Sequence, residues 1–135
     1  MILSYATVPK AVAFWFTKYN YKDMTKFWID DIRPAPPGWT HIHSVNEFIE
    51  LWKKDPNLDL EIDTISLDHD AGDYFKFGGD YIRCLDYMTS VFETRGDDIW
   101  NYGIKYHLHS ANPVGVANMR RIIQRNGWTE VHSIE

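Results

Sequence analysis

From Lys26 onward, short apolar runs alternate with segments whose apolar residues recur at helical spacing. Lys26-Phe-Trp-Ile-Asp30 reads as a buried strand. Pro34, Pro36, Pro37 and Gly38 then forbid a helix and dictate a stiff loop. Trp39 to His43 is a short second strand. Ser44 is a good N-cap with Glu47 three residues on, the pattern of a capping box. The helix that follows carries Val45, Phe48, Ile49 and Trp52 on one face and ends near Asp55-Pro56. Ile62 to Leu67 is apolar enough for a central strand. A glycine-containing loop, Ala71 to Gly79, leads to a helix from about Asp80 to Thr94, buried through Tyr81, Leu85, Met88 and Phe92. Ile104 to His109 is the next strand. Asn112 caps a helix that opens with Pro113, runs through Val114, Ala117, Ile122 and Ile123, and stops at Gly127. Glu130 to Ile134 is expected as a last strand at the edge.

Strand–helix alternation with short links implies a mostly parallel sheet covered by helices, and right-handed crossovers leave few topologies. The expected architecture is a three-layer α/β domain with a five-stranded, flavodoxin-like sheet of order 2-1-3-4-5. The proline loop replaces its first helix. Ligands of such sheets bind beyond the carboxyl ends of the strands, where strand order reverses. Asp30-Asp31 and Asp68-His69-Asp70 emerge there.

Composition sharpens this picture in three ways. The 135 residues suit one domain, and an aromatic content of 16% supplies large side chains for a compact core. One cysteine, Cys84, excludes an internal disulfide and fits a reducing, cytoplasmic compartment. It sits in an apolar helical stretch and reads as core filler rather than nucleophile. The net charge of -5 argues against a protein that grips extended duplex nucleic acid, but not against a small phosphorylated ligand held through a metal. No apolar run approaches the ~20 residues that span a bilayer. Residues 1–23 are expected to be an N-terminal extension, poorly ordered rather than an added element. Lys18 and Lys22 follow its apolar run, and no small-residue cleavage site marks a signal peptide.

The acids carry the first candidate chemistry. Neighbouring parallel strands lie about 4.8 Å apart. Carboxylates at adjacent strand ends repel one another unless a cation or protons intervene. Asp30, Asp31, Asp68 and Asp70 are therefore candidate ligands for Mg²⁺ or Mn²⁺, which favour hard oxygen donors and phosphate. Solvated loop acids or caps are the bland alternative. His107 and His109 share a strand face, and His109, nearer the carboxyl edge, is the candidate acid, base or ligand. His107 is expected to pack with a backbone partner, and His41 and His43 repeat the spacing on an edge strand. Ser110 and Asn112 lie at a helix start, where free N–H groups favour anions. Arg33 and Lys76 are the nearest cations for a phosphate. Tyr74, Phe75 and Phe77 either stack on a base or pack on the domain.

Three motifs fall in order at three expected strand ends: Trp28-Ile-Asp-Asp-Ile-Arg-Pro34 with Pro37-Gly-Trp39, Ile65-Ser-Leu-Asp-His-Asp70, and His109-Ser-Ala-Asn-Pro-Val-Gly115. Together they resemble the cyclic-phosphate processing receiver domains, relatives of two-component receivers, from about Lys26 to the end. The resemblance implies a receiver-like fold over residues 24–135. It further implies an acid pair, Asp30 and Asp31, and an aspartate, Asp68, that hold Mg²⁺. In receivers the residue matching Asp68 accepts a phosphoryl group, Ser110 matches a hydroxyl position, and a lysine follows the fifth strand. Thr129 to Glu135 contains no lysine, which argues against ordinary phospho-signalling.

Three functions are in play. The first is a metal-dependent phosphoesterase acting on a cyclic phosphate of a nucleotide or RNA end. Asp30, Asp31 and Asp68 would hold the metal and His109 or His69 would move protons. The second is a non-catalytic receiver phosphorylated on Asp68. The third is a compact, phage-type module that binds a nucleotide or a protein partner.

Overall fold

The computed structural model describes residues 24–96 and 103–134, so the expectation for residues 1–23 falls outside the described residues. Five strands form one parallel sheet: β1 (Thr25–Ile29), β2 (Thr40–Ile42), β3 (Ile62–Leu67), β4 (Lys105–Leu108) and β5 (Thr129–Glu130). Their order is β2-β1-β3-β4-β5. The helices are α1 (Val45–Lys54), α2 (Ile82–Arg95) and α3 (Pro113–Arg125). This is the strand order the alternation of elements implies, with strand order reversing between β1 and β3.

The helix ends follow local chemistry. Ser44 Oγ accepts the Glu47 N–H at 3.1 Å, and the Glu47 carboxylate accepts the His43 N–H at 2.7 Å. Asn112 Oδ1 accepts the Gly115 N–H at 2.9 Å, and Pro113 takes the first turn, where no N–H is needed. Gly127, at φ 71°, turns the chain out of α3.

Alternation along the strands assigns one face to the core. Phe27, Ile29, Ile42, Ile65, Leu67 and Tyr106 point to one side and join Phe48 and Trp52 of α1, Leu85, Met88 and Phe92 of α2, and Met119 and Ile123 of α3. Trp128 stacks on Tyr106 with centroids 4.8 Å apart. The alternate residues, Trp28, Ser66 and His107, face the other way. A right-handed β1-to-β2 crossover would place its helix on that second face, because it moves opposite to the later ones. The proline loop occupies that connection. The described residues therefore supply the sheet and one helical layer of the expected three-layer domain, and no described helix covers the second face.

Three local expectations need adjustment. The Ala71 to Gly79 segment holds a 3-10 helix, Gly72–Phe77. The second long helix begins at Ile82 rather than Asp80, because the Asp80 carboxylate accepts the Ala71 N–H at 3.0 Å and braces that turn. The last strand is Thr129–Glu130, not Glu130 to Ile134. Among the described residues, the Val131 N–H alone continues its ladder, to the Tyr106 carbonyl at 2.8 Å.

Candidate active site

Asp30 follows β1 directly and is fully buried. Its Oδ1 accepts the N–H groups of Ile32 and Arg33, both at 2.9 Å, as the chain turns into the proline loop. Its Oδ2 lies 2.8 Å from His109 Nε2. Burial raises its pKa, but the two N–H donors and His109 outweigh that and hold the carboxyl below its ordinary value. Asp31 is the contrasting neighbour. Burial comes first and the charges of Asp30 and Asp68 add to it, so its pKa is raised. Gly72, at φ 55°, lies against the Asp31 carboxylate, and a Cβ there would collide with it. Asp68 follows β3 directly, is buried, and accepts the His69 N–H at 2.7 Å.

Ligand atoms of Asp30, Asp31 and Asp68 all lie within 4.8 Å of one another. Three carboxylates so close, one of them destabilised as an anion by the other two, form a site that a divalent cation would relieve. The all-oxygen donor set suits Mg²⁺ or Mn²⁺.

Asp70 is placed apart from this triad. Its Oδ1 lies 2.8 Å from His69 Nδ1, and Asn112 Nδ2 donates to its two oxygens at 3.2 and 3.4 Å. The His69 hydrogen bond leads, against a smaller effect of burial, in lowering the Asp70 pKa. His69, Asp70 and Asp80 form a second close group. The His69 ring packs on Gly115 in the first turn of α3, where a Cβ would overlap it. Among the described residues, His69 Nε2 has no hydrogen-bond partner.

His109 has both ring nitrogens engaged. Nε2 meets Asp30, and Nδ1 lies 2.7 Å from Ser66 Oγ. Its ring stacks on Trp28, with centroids 3.9 Å apart and planes 5° apart. Burial leads in lowering its pKa, against the pull of Asp30 and Asp68. His107 also finds a side chain rather than a backbone group: its Nδ1 lies 2.7 Å from the same Ser66 Oγ. His41 Nε2 lies 2.9 Å from the Asp30 carbonyl and its ring stacks on His43.

The phosphate candidates divide. Arg33 Nη1 donates to the His109 carbonyl at 2.6 Å, and Nε lies 3.9 Å from Asp30, which ties the guanidinium to the site. Asn112 caps α3 and braces Asp70. Ser110 Oγ accepts the Asn112 N–H at 3.0 Å. Lys76 lies over the Phe77 ring, 5.3 Å from its centroid. Tyr74 packs near His43 and Phe77, whereas Phe75 and Phe77 are exposed. Cys84 is buried in the core and burial raises its thiol pKa far from the reactive range.

Sequence reasoning did not single out Ser66, Trp28 or Gly115. Two of them carried a readable signal, since Trp28 and Ser66 stand two positions before Asp30 and Asp68 and so share their strand face. Gly115 carried none, because the ring above it comes from another element.

A receiver-like α/β domain with an acid triad at the carboxyl edge of its sheet is the class that fold and site define. Residues 25–125 match the family described as the cyclic-phosphate processing receiver domain, and the chain belongs to that family. No curated protein and no solved structure matches the chain.

Proposed function

We propose that the protein is a metal-dependent phosphoesterase that opens a cyclic phosphate on a nucleotide or an RNA end. The observation that carries this reading is the convergence of Asp30, Asp31 and Asp68 beside the His69–Asp70 pair and the start of α3. Membership of a family described by cyclic-phosphate processing supports the substrate class.

Asp30, Asp31 and Asp68 would hold the cation. When bound, Mg²⁺ or Mn²⁺ supplies charge neutralisation at the phosphoryl oxygens and makes a water more acidic. His69 is the better placed of the two candidate proton carriers. Asp70 accepts from its Nδ1, which leaves Nε2 as the basic nitrogen, an arrangement that orients a general base. His109, with both nitrogens engaged, is assigned to holding Asp30. In ring opening, a water oxygen bonds to phosphorus and one ring P–O bond breaks. His69 Nε2 takes the water proton and returns it to the leaving alkoxide. Arg33, Ser110, Asn112 and the α3 start would hold the phosphate oxygens.

A phosphoacceptor role for Asp68 fits less well. The residues that directly follow β5, Val131 to Ile134, include no lysine to grip an aspartyl phosphate.

Phosphorus NMR of a 2′,3′-cyclic nucleotide with Mg²⁺ or Mn²⁺ tests the proposal. The expected result is conversion to a phosphomonoester, lost on removing the metal and in Asp68→Asn. An unchanged spectrum with both metals would overturn it.

A further inference from the structure

Ser66 is fully buried on the second face of the sheet, in register with His107 of β4. Its one hydroxyl stands 2.7 Å from two imidazole nitrogens, His107 Nδ1 and His109 Nδ1. A hydroxyl has a single proton to donate, so it can donate to at most one of these nitrogens, and a nitrogen it does not donate to must itself carry the proton. The far end of the row decides which. Asp30 is an ionised carboxylate and accepts only, so His109 Nε2 carries the proton that bridges their 2.8 Å contact. In its neutral form each imidazole carries one ring proton. A neutral His109 protonated on Nε2 has a bare Nδ1, which takes the Ser66 hydroxyl proton. Ser66 Oγ must then accept from His107, which carries its proton on Nδ1. Every group in the row has one consistent direction.

The stack on Trp28 fixes the plane of the His109 ring but not which nitrogen holds its proton. A ring with Nδ1–H and a bare Nε2 would set two acceptors against each other at Asp30. We infer that Ser66, oriented by His107, is a positioning residue that locks His109 as the Nε2–H tautomer and so aims the Asp30 carboxylate at the cation site. This deepens the proposed function and rests on the reading of Asp30, Asp31 and Asp68 as cation ligands. Groups behind a ligand of this kind tune metal affinity by holding it in one orientation.

The experiment uses the full chain in two arms. The first is ¹⁵N NMR of the imidazoles in the metal-free protein at neutral to mildly alkaline pH. The expected spectra show His109 as the Nε2–H tautomer and His107 as the Nδ1–H tautomer. Ser66→Ala shifts His109 toward a mixture of tautomers, and Ser66→Thr, which keeps the hydroxyl, restores it. The second arm is Mn²⁺ affinity without any phosphate, which falls about 10- to 100-fold in Ser66→Ala and recovers in Ser66→Thr. His107 protonated on Nε2 in the wild type, or a His109 tautomer indifferent to Ser66→Ala, would overturn the inference. A wild type with no Mn²⁺ affinity would overturn the cation reading, and the tautomer spectra would still decide the role of Ser66.

Discussion

Residues 65 to 67 and 106 to 107 put the two faces of one sheet side by side. Ile65, Leu67 and Tyr106 lie under the helices in the apolar core. Ser66 and His107, between or beside them in the chain, lie on the other face and run by hydrogen bonds through His109 to Asp30. The first face is held by area removed from water, which tolerates many side chains of similar size. The second is held by directed hydrogen bonds, where each donor needs one acceptor. The core therefore sets stability, while the polar row sets the geometry of the acids. Changes on the two faces should separate in experiment.

The largest separation is expected from Phe48→Ala, which empties a fully buried ring site between α1 and β1. Denaturant unfolding should show a loss of about 3–5 kcal/mol. The folded fraction should keep its cation affinity, and a matching loss of affinity would break the division. Asp30→Asn is the converse. Its Mn²⁺ affinity, measured by calorimetry, should fall by more than the roughly 100-fold upper range for a group behind a ligand. The fold should persist, since an amide oxygen still accepts from Ile32 and Arg33.

A smaller effect of opposite sign is expected at Asp31. Its folded pKa is raised, so its contribution to stability is complete below the ordinary aspartate value and is lost as pH rises through the folded pKa. At pH 7 without metal, Asp31→Asn should therefore melt a few degrees higher than the wild type, and added Mg²⁺ should reverse that order. Equal melting at pH 7 would mean that the triad stores no repulsion. The smallest effect belongs to Arg120, which donates to both Glu130 oxygens at 2.7 and 2.8 Å at the far edge of the sheet. The Arg120 hydrogen bond leads in lowering the Glu130 pKa, so this stabilisation is present above the ordinary glutamate value and fades as pH falls through the folded pKa. Arg120→Gln should cost about 0.2–1 kcal/mol at pH 7 and progressively less in acid, read from unfolding midpoints across that range.

The fold was legible wherever one residue type settles one backbone choice. Ser44 with Glu47, Asn112 with Pro113, and Gly127 marked helix ends because capping and positive φ are local. Strand order followed from alternation and handedness. The shortness of β5 was not legible, since the departure of the chain after Val131 leaves no mark in its composition. At the site, the acids that end β1 and β3 could be placed because period-two geometry holds up to Leu67. It fails in the turn after Asp68, and there Asp70 swings to His69 and Asn112 instead of joining the triad. The engagement of His109 on both nitrogens was hidden for another reason. It depends on Ser66, whose strand face can be read from Asp68 but whose partners are set only by its register with β4.

The most direct test of the central claim is the anomalous scattering of a crystal grown with Mn²⁺. One strong peak is expected among the carboxylates of Asp30, Asp31 and Asp68, with His109 still bridging Ser66 and Asp30. A peak at His69, Asp70 and Asp80 instead, or none in a crystal saturated with Mn²⁺, would contradict it.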